Sequence, residues 1–157
     1  MSRKVFFLGW LLILPVLAGS SFDCKDPETG WQAIPGTNDA VRTLLVRNEI
    51  LLAGGDFTQV DTFGDAREVH HLASFANRWF DIDPEPNGSV YALAALSSGD
   101  LVVAGAFTYM GATPARHVAR WDGLRWTELA GGIDGIVYTL AVVNDELVAG
   151  GSFTEAG

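Results

Sequence analysis

The sequence predicts an all-β fold, a β-propeller of four-stranded antiparallel blades, incomplete at about two and a half blades, following an N-terminal signal helix. Three observations lead there. One stretch, residues 90–108, is written three times, its other copies being residues 41–58 and 137–154, so that Phe57, Phe107 and Phe153 fall 50 and 46 residues apart. Trp31, Trp79 and Trp126 recur independently at 48 and 47 residues. Within each period, short apolar segments alternate with clusters of Gly, Pro, Asn, Asp and Ser. Self-similarity at this spacing marks a repeat architecture, and four short antiparallel strands per repeat describe a propeller blade.

The chain begins with Arg3 and Lys4, an apolar run over residues 5–18 and then Gly19, Ser20 and Ser21. These are the three regions of a secretory signal peptide, and the run is too short for a bilayer span, which needs about 20 residues. Residues 1–20 are therefore read as the signal, 21–30 as a polar leader, and 31–157 as the partial propeller, with repeats at about 41–82, 90–129 and 137–157. Phe22 and Asp23 separate the small residues from Cys24, which argues against a lipoprotein. Cys24 is the single cysteine of the chain, so it has no internal disulfide partner.

In the middle copy the expected strands are 90–96 and 101–107 around the turn 97–100, then, after a longer loop at 108–115, strands 116–121 and 125–129 around Asp122 and Gly123. The first two are almost continuously apolar, as in residues 101–104, which predicts burial on both faces between neighbouring sheets. The outer two alternate and are expected to be wetter. Each second strand ends in small residues, Gly54 and Gly55, Gly105, and Gly150 and Gly151. Glycine persists in strands where something approaches closely, and here the expected visitor is an aromatic ring, Phe57, Phe107 or a repeat tryptophan.

A hydrophobic second strand ending in a glycine doublet, an aromatic on the third strand and a tryptophan opening the fourth resembles the kelch repeat and the central propeller of galactose-oxidase-type proteins. The residues that carry the likeness are Gly54 and Gly55 with Phe75 and Trp79, Ala104 and Gly105 with Trp121 and Trp126, and Gly150 and Gly151. The wording of residues 147–154, together with Ala119, Arg120, Trp121, Asp122 and Gly123 of the preceding copy, is closer still to a secreted bacterial variety of such repeats and to those of fungal cortical landmark proteins. The resemblance implies a propeller of four to eight blades, so the remaining blades are expected to lie outside this sequence, as in a piece of a longer protein or a truncated gene product.

No catalytic, cofactor-binding or metal residue is assigned. His70 and His71 are adjacent, and neighbours on a strand point to opposite faces, so one ion is not expected to hold both. Residues 81–87 space four oxygen-bearing side chains two apart but put Pro86 where a calcium loop wants glycine, so a solvated acidic turn is expected. The loop with Asp61 and Asp65 is read the same way. Arg116, Arg120 and Arg125 are expected to pair with carboxylates. There is no nucleophile constellation and no phosphate-cradling loop. Galactose-oxidase chemistry would need copper held by tyrosines and histidines; a copper oxidase whose ligands lie downstream of residue 157 is the alternative to a binding or scaffold module.

Charge bounds the partners. Loss of the signal removes two of ten basic residues and none of the 19 acidic ones, moving the net charge from −9 to −11. Nucleic acid and anionic lipid are disfavoured. A secreted, surface or periplasmic product that binds a protein or carbohydrate through the variable loops 59–69 and 109–115 is the expectation.

Overall fold

The computed structural model describes residues 36–62 and 64–157; the expected signal peptide and leader, with Cys24, and the first repeat tryptophan, Trp31, lie outside them. The described residues are all-β, without a helix, in antiparallel sheets of two to four strands. In the first unit, β1 (Val41–Arg47) and β2 (Ile50–Gly55) form a hairpin, β3 (Gln59–Thr62) and β4 (Asp65–Glu68) a separate ribbon, and β5 (Leu72–Phe75) and β6 (Trp79–Asp81) complete a sheet in the order β1-β2-β5-β6. The second unit repeats this with β7 (Val90–Ala95), β8 (Leu101–Gly105), the ribbon β9 (Tyr109–Met110) and β10 (Thr113–Pro114), then β11 (Val118–Trp121) and β12 (Trp126–Glu128). The third is the hairpin β13 (Ile136–Val143) and β14 (Glu146–Ser152). These units stack in a row; the described residues do not form a closed ring.

Local chemistry explains the hairpins. Asn48 and Glu49 (φ 50° and 64°) and Asn144 and Asp145 (φ 51° and 65°) make two-residue turns with both central residues left-handed, the twist that suits antiparallel strands and that asparagine tolerates best. β11 begins two residues later than expected because His117 has φ 63°, a conformation that cannot continue a strand.

The apolar runs are explained by stacking. Leu101 and Val103 on one face of β8 pack with Leu52, Leu72 and Leu93 between the first two sheets. Val102 and Ala104 on the other face pack with Val118 and Val137 between the second and third. All five residues of β8 are buried, so the expectation of two-sided burial holds for the middle unit. It fails for β1 and for both strands of the third unit, β14 having no buried residue. Leu44 and Val46 on β1, and Val143 on β13, are exposed, because among the described residues no sheet lies against that face of either strand. The outward face of the first sheet is instead partly filled by its own loop, where Phe57, Val60 and Val69 pack with Trp79.

The small residues ending each second strand admit backbone, not a ring. A Cβ on Gly55, Gly105 or Gly151 would collide with the carbonyl oxygen of Ala40, Ser89 or Ile136 respectively. The pairing register slips beside each of them, between Val41 and Thr43, Val90 and Ala92, and Val137 and Thr139. The bulge turns the carbonyl toward the glycine, and in the first two units that carbonyl also accepts the N–H of the following residue, Asp56 or Ala106, at 2.9 Å. A Cβ on Gly54 would strike the Val90 side chain of the next sheet, and one on Gly150 would crowd Thr139. The expected aromatic visitor is thus corrected at every one of these positions.

Candidate functional site

The loops that follow the second strands gather at one end of the units, and a repeated polar clamp holds them. Asn38 Oδ1 accepts the N–H groups of Thr58 and Gln59, both at 2.9 Å, while its Nδ2 donates to Thr58 Oγ1 at 3.0 Å. Asn87 does the same to Thr108 (2.8 Å) and Tyr109 (3.0 Å), with Nδ2 again 3.0 Å from the threonine hydroxyl. In the third unit Asp134 takes the N–H groups of Thr154 and Glu155 at 2.8 and 2.9 Å. A carboxylate has no proton to donate, so the Thr154 hydroxyl turns and donates to Asp134 Oδ2 at 2.5 Å. These bonds hold the Asp134 carboxyl at about 2, well below its ordinary 3.8.

A second repeated device fastens the return of each loop. His71 and His117 are left-handed (φ 64° and 63°). Each donates its N–H to the preceding phenylalanine carbonyl, Phe57 or Phe107, at 2.9 Å and accepts from Gly55 or Gly105 at 3.0 Å. Their Nδ1 atoms lie 3.3 and 3.2 Å from the carbonyls of Gly55 and Gly105. Burial pushes the His71 imidazole down, which keeps it neutral with the proton on Nδ1.

Between these loops lies an open cleft of about 410 Å³, lined by His70, His71, Pro84, Glu85, Asn87 and Gly111 among others. Glu85 accepts from the His70 N–H at 2.9 Å and from its Nδ1 at 2.6 Å. That bond raises the His70 imidazole above its ordinary value, and Glu68, 3.3 Å from Nε2, adds to the effect. Just below, Asp56 receives Arg42 Nε at 2.9 Å and Nη2 at 2.6 Å. Burial works to raise the Asp56 carboxyl, but hydrogen bonds from Arg42 and Ser89 outweigh it and hold the group low.

The other residues singled out in the sequence fall into structural places. Phe57, Phe107 and Trp79 are fully buried and Trp126 nearly so. Trp126 lies 5.3 Å from Trp121, and Phe75 5.1 Å from Trp79, between ring centroids. Phe153 is only partly buried, against the cluster between the second and third units. The three arginines find carboxylates: Arg116 with Glu128 (3.4 Å), Arg120 with Asp100 (2.5 Å) and Arg125 with Asp122 (3.7 Å). Asp100 is largely covered, and Ser98 followed by Arg120 holds its carboxyl low.

His70 and His71 do not converge, their ring centroids being 6.4 Å apart. Within residues 81–87, Glu85 and Asn87 are already engaged by His70 and by the loop amides. Among the described residues no group of three or more His, Cys, Asp or Glu is arranged to hold a metal ion. The clamp residues Asn38, Asn87 and Asp134 were missed by sequence reasoning, although their spacing of 49 and 47 residues and their constant 20 or 21 residues to Thr58, Thr108 and Thr154 could have found them.

Compared with known families, with curated proteins and with solved structures, the chain finds no match.

Proposed function

We propose that this chain is a segment of a secreted or surface-exposed, kelch-like β-propeller that serves as a binding or scaffold module for a protein or carbohydrate. The observation that supports this best is the contrast between the frame and what it carries. The clamps and left-handed histidines seat the loops in the same way, yet the ribbon is ten residues long in the first unit (59–68) and six in the second (109–114). A rigid frame bearing loops of different length and composition is how binding surfaces are commonly built.

The test is to replace the exposed ribbon residues Gln59, Asp61, Arg67, Glu68 and Tyr109 with alanine in the full chain, leaving the buried Val60 and Met110 in place. Wild type and variant would be compared on one panel of extracellular glycans and matrix proteins by biolayer interferometry. The expected result is a binder whose signal is lost in the variant while the melting temperature is kept. A panel with no binder, or one bound equally by both forms, would sink the proposal.

A further inference from the structure

Each left-handed histidine is preceded by a basic residue that grips a glutamate. Arg116 donates its backbone N–H to Glu128 Oε1 at 3.0 Å and reaches the same oxygen with Nε at 3.4 Å, while its Nη2 donates to the Gly131 carbonyl. His70, at the matching position 46 residues earlier, donates its N–H to Glu85 Oε1 at 2.9 Å and meets Glu85 Oε2 with Nδ1 at 2.6 Å. Glu85 belongs to the connector from β6 to β7, and the cleft around it is lined by both the first and the second unit, His71 and Gly111 among the residues.

The two grips differ in their third partner. The ribbon residue before Val69 is Glu68, whose carboxylate lies 3.3 Å from His70 Nε2. The second ribbon has Pro114 at that position, and Arg116 turns to a backbone carbonyl instead. An arginine keeps its charge at every ordinary pH. An imidazole does not, and on losing its charge it falls from two N–H donors to one. Doubly protonated, the ring bridges Glu85 and Glu68. With one proton left, the shorter bond to Glu85 keeps it, and the Nε2 lone pair faces the Glu68 carboxylate at 3.3 Å. Two acceptors so close repel, and β4, exposed along its whole length, is free to move off.

We propose that His70 is a pH-operated latch on the first ribbon, closed between Glu85 and Glu68 in mild acid and opened on the Glu68 side in mild alkali, while the second ribbon, held by Arg116, ignores pH. The carboxylates set where the change falls. Glu85 first, through its hydrogen bond, and then Glu68 raise the His70 imidazole above its ordinary 6.5. The latch is therefore fully closed below that ordinary value and is lost as the pH climbs through the raised one. Asp83 adds a further negative charge to the cleft lining. His71, its ring centroid 6.4 Å away, is kept neutral by burial and does not compete, and Asp56 is matched by Arg42 at 2.6 Å. Asp65 and Arg67 on β4 face each other at 4.0 Å. The latch rests on the binding-module reading only in making the ribbon a contact surface, to which it adds a regulator.

The experiment measures amide protection factors, which remove the intrinsic pH dependence of exchange, in the full chain at about pH 5.5 and about pH 8.5, on either side of an imidazole titration. Val69 and Ala115 make the same closing bond, to Thr58 and Thr108, and form a matched pair. Val69 should lose about two- to fivefold in protection at the higher pH, the range of an exposed ion pair, and Ala115 none. His70→Arg should hold Val69 at its acid value throughout, and His70→Gln at its alkaline value, with unchanged Ala115 protection showing that each variant is folded. Ring signals of His70 followed by NMR should titrate above 6.5, and Glu68→Gln should lower that midpoint. Val69 protection that stays constant while His70 titrates overturns the latch, as does a pH dependence that survives His70→Arg. Either result leaves ligand capture by the ribbons standing, whereas a chain that shows the Val69 switch and binds no ligand keeps the latch and loses the binding reading.

Discussion

The middle unit and the third unit are built from the same repeat, yet their strands live in different surroundings. In β8 every residue is buried, whereas in β14 none is, and Val148 is 52% exposed. Both hairpins carry the same bulge, the same glycine against the same carbonyl and an equivalent clamp. The difference is the neighbour on the second face. A unit of this repeat therefore draws much of its stability from the sheets beside it, as repeat proteins do when stability is a sum of unit and interface contributions.

The sharpest break of that comparison comes from the equivalent phenylalanines. Phe107→Ala removes a fully buried ring from the interface between the first two sheets and should cost about 3–5 kcal/mol. Phe153→Ala removes one that is only partly buried and should cost less than half as much, about 1–2 kcal/mol. Urea unfolding of both variants checks the pair. Equal losses would mean that the third unit is as tightly held as the second.

A smaller effect is expected at the bulges. Gly105→Ala drives a methyl into the Ser89 carbonyl, an overpacking that should cost about 1–3 kcal/mol. Gly151→Ala makes the same collision with Ile136, but β13 and β14 can shift toward their bare face. Hydrogen exchange should show general loss of protection for the first variant and loss confined to the third hairpin for the second.

The smallest and most selective difference is in acid. Asp134 titrates and its counterpart Asn87 does not. Because the folded carboxyl sits at about 2 against an ordinary 3.8, its contribution is present above pH 4 and is lost as the pH falls from about 4 toward 2. The Thr154 and Glu155 amide resonances should move over that interval while those of Thr108 and Tyr109 stay. Asp134→Asn should abolish the movement.

Much of the fold was legible because burial on two faces leaves a composition signal. The continuous run at residues 101–104 could hardly be anything but a strand between two layers, and the Phe and Trp spacings counted the units. The bulges were not legible. A one-residue slip at Arg42, Tyr91 or Tyr138 leaves no gap in an apolar pattern, and the glycine that permits it was read as room for a ring. The left-handed histidines were hidden for a related reason, since His71 and His117 lie 46 residues apart but adjoin dissimilar residues, His70 and Arg116.

Each ribbon departs and comes back through one fixed gateway. Val69 donates its N–H to Thr58 O at 3.0 Å, and Ala115 donates to Thr108 O at 2.9 Å, so ten residues and six are closed by an identical bond. The backbone outside that gateway does not register how much chain lies within it. Segments of other lengths could be exchanged at the ribbon tips, beyond Asp61 and Gly111, provided Val60 and Met110 just inside the gateway keep their buried places, which makes those tips natural grafting points for new recognition sequences.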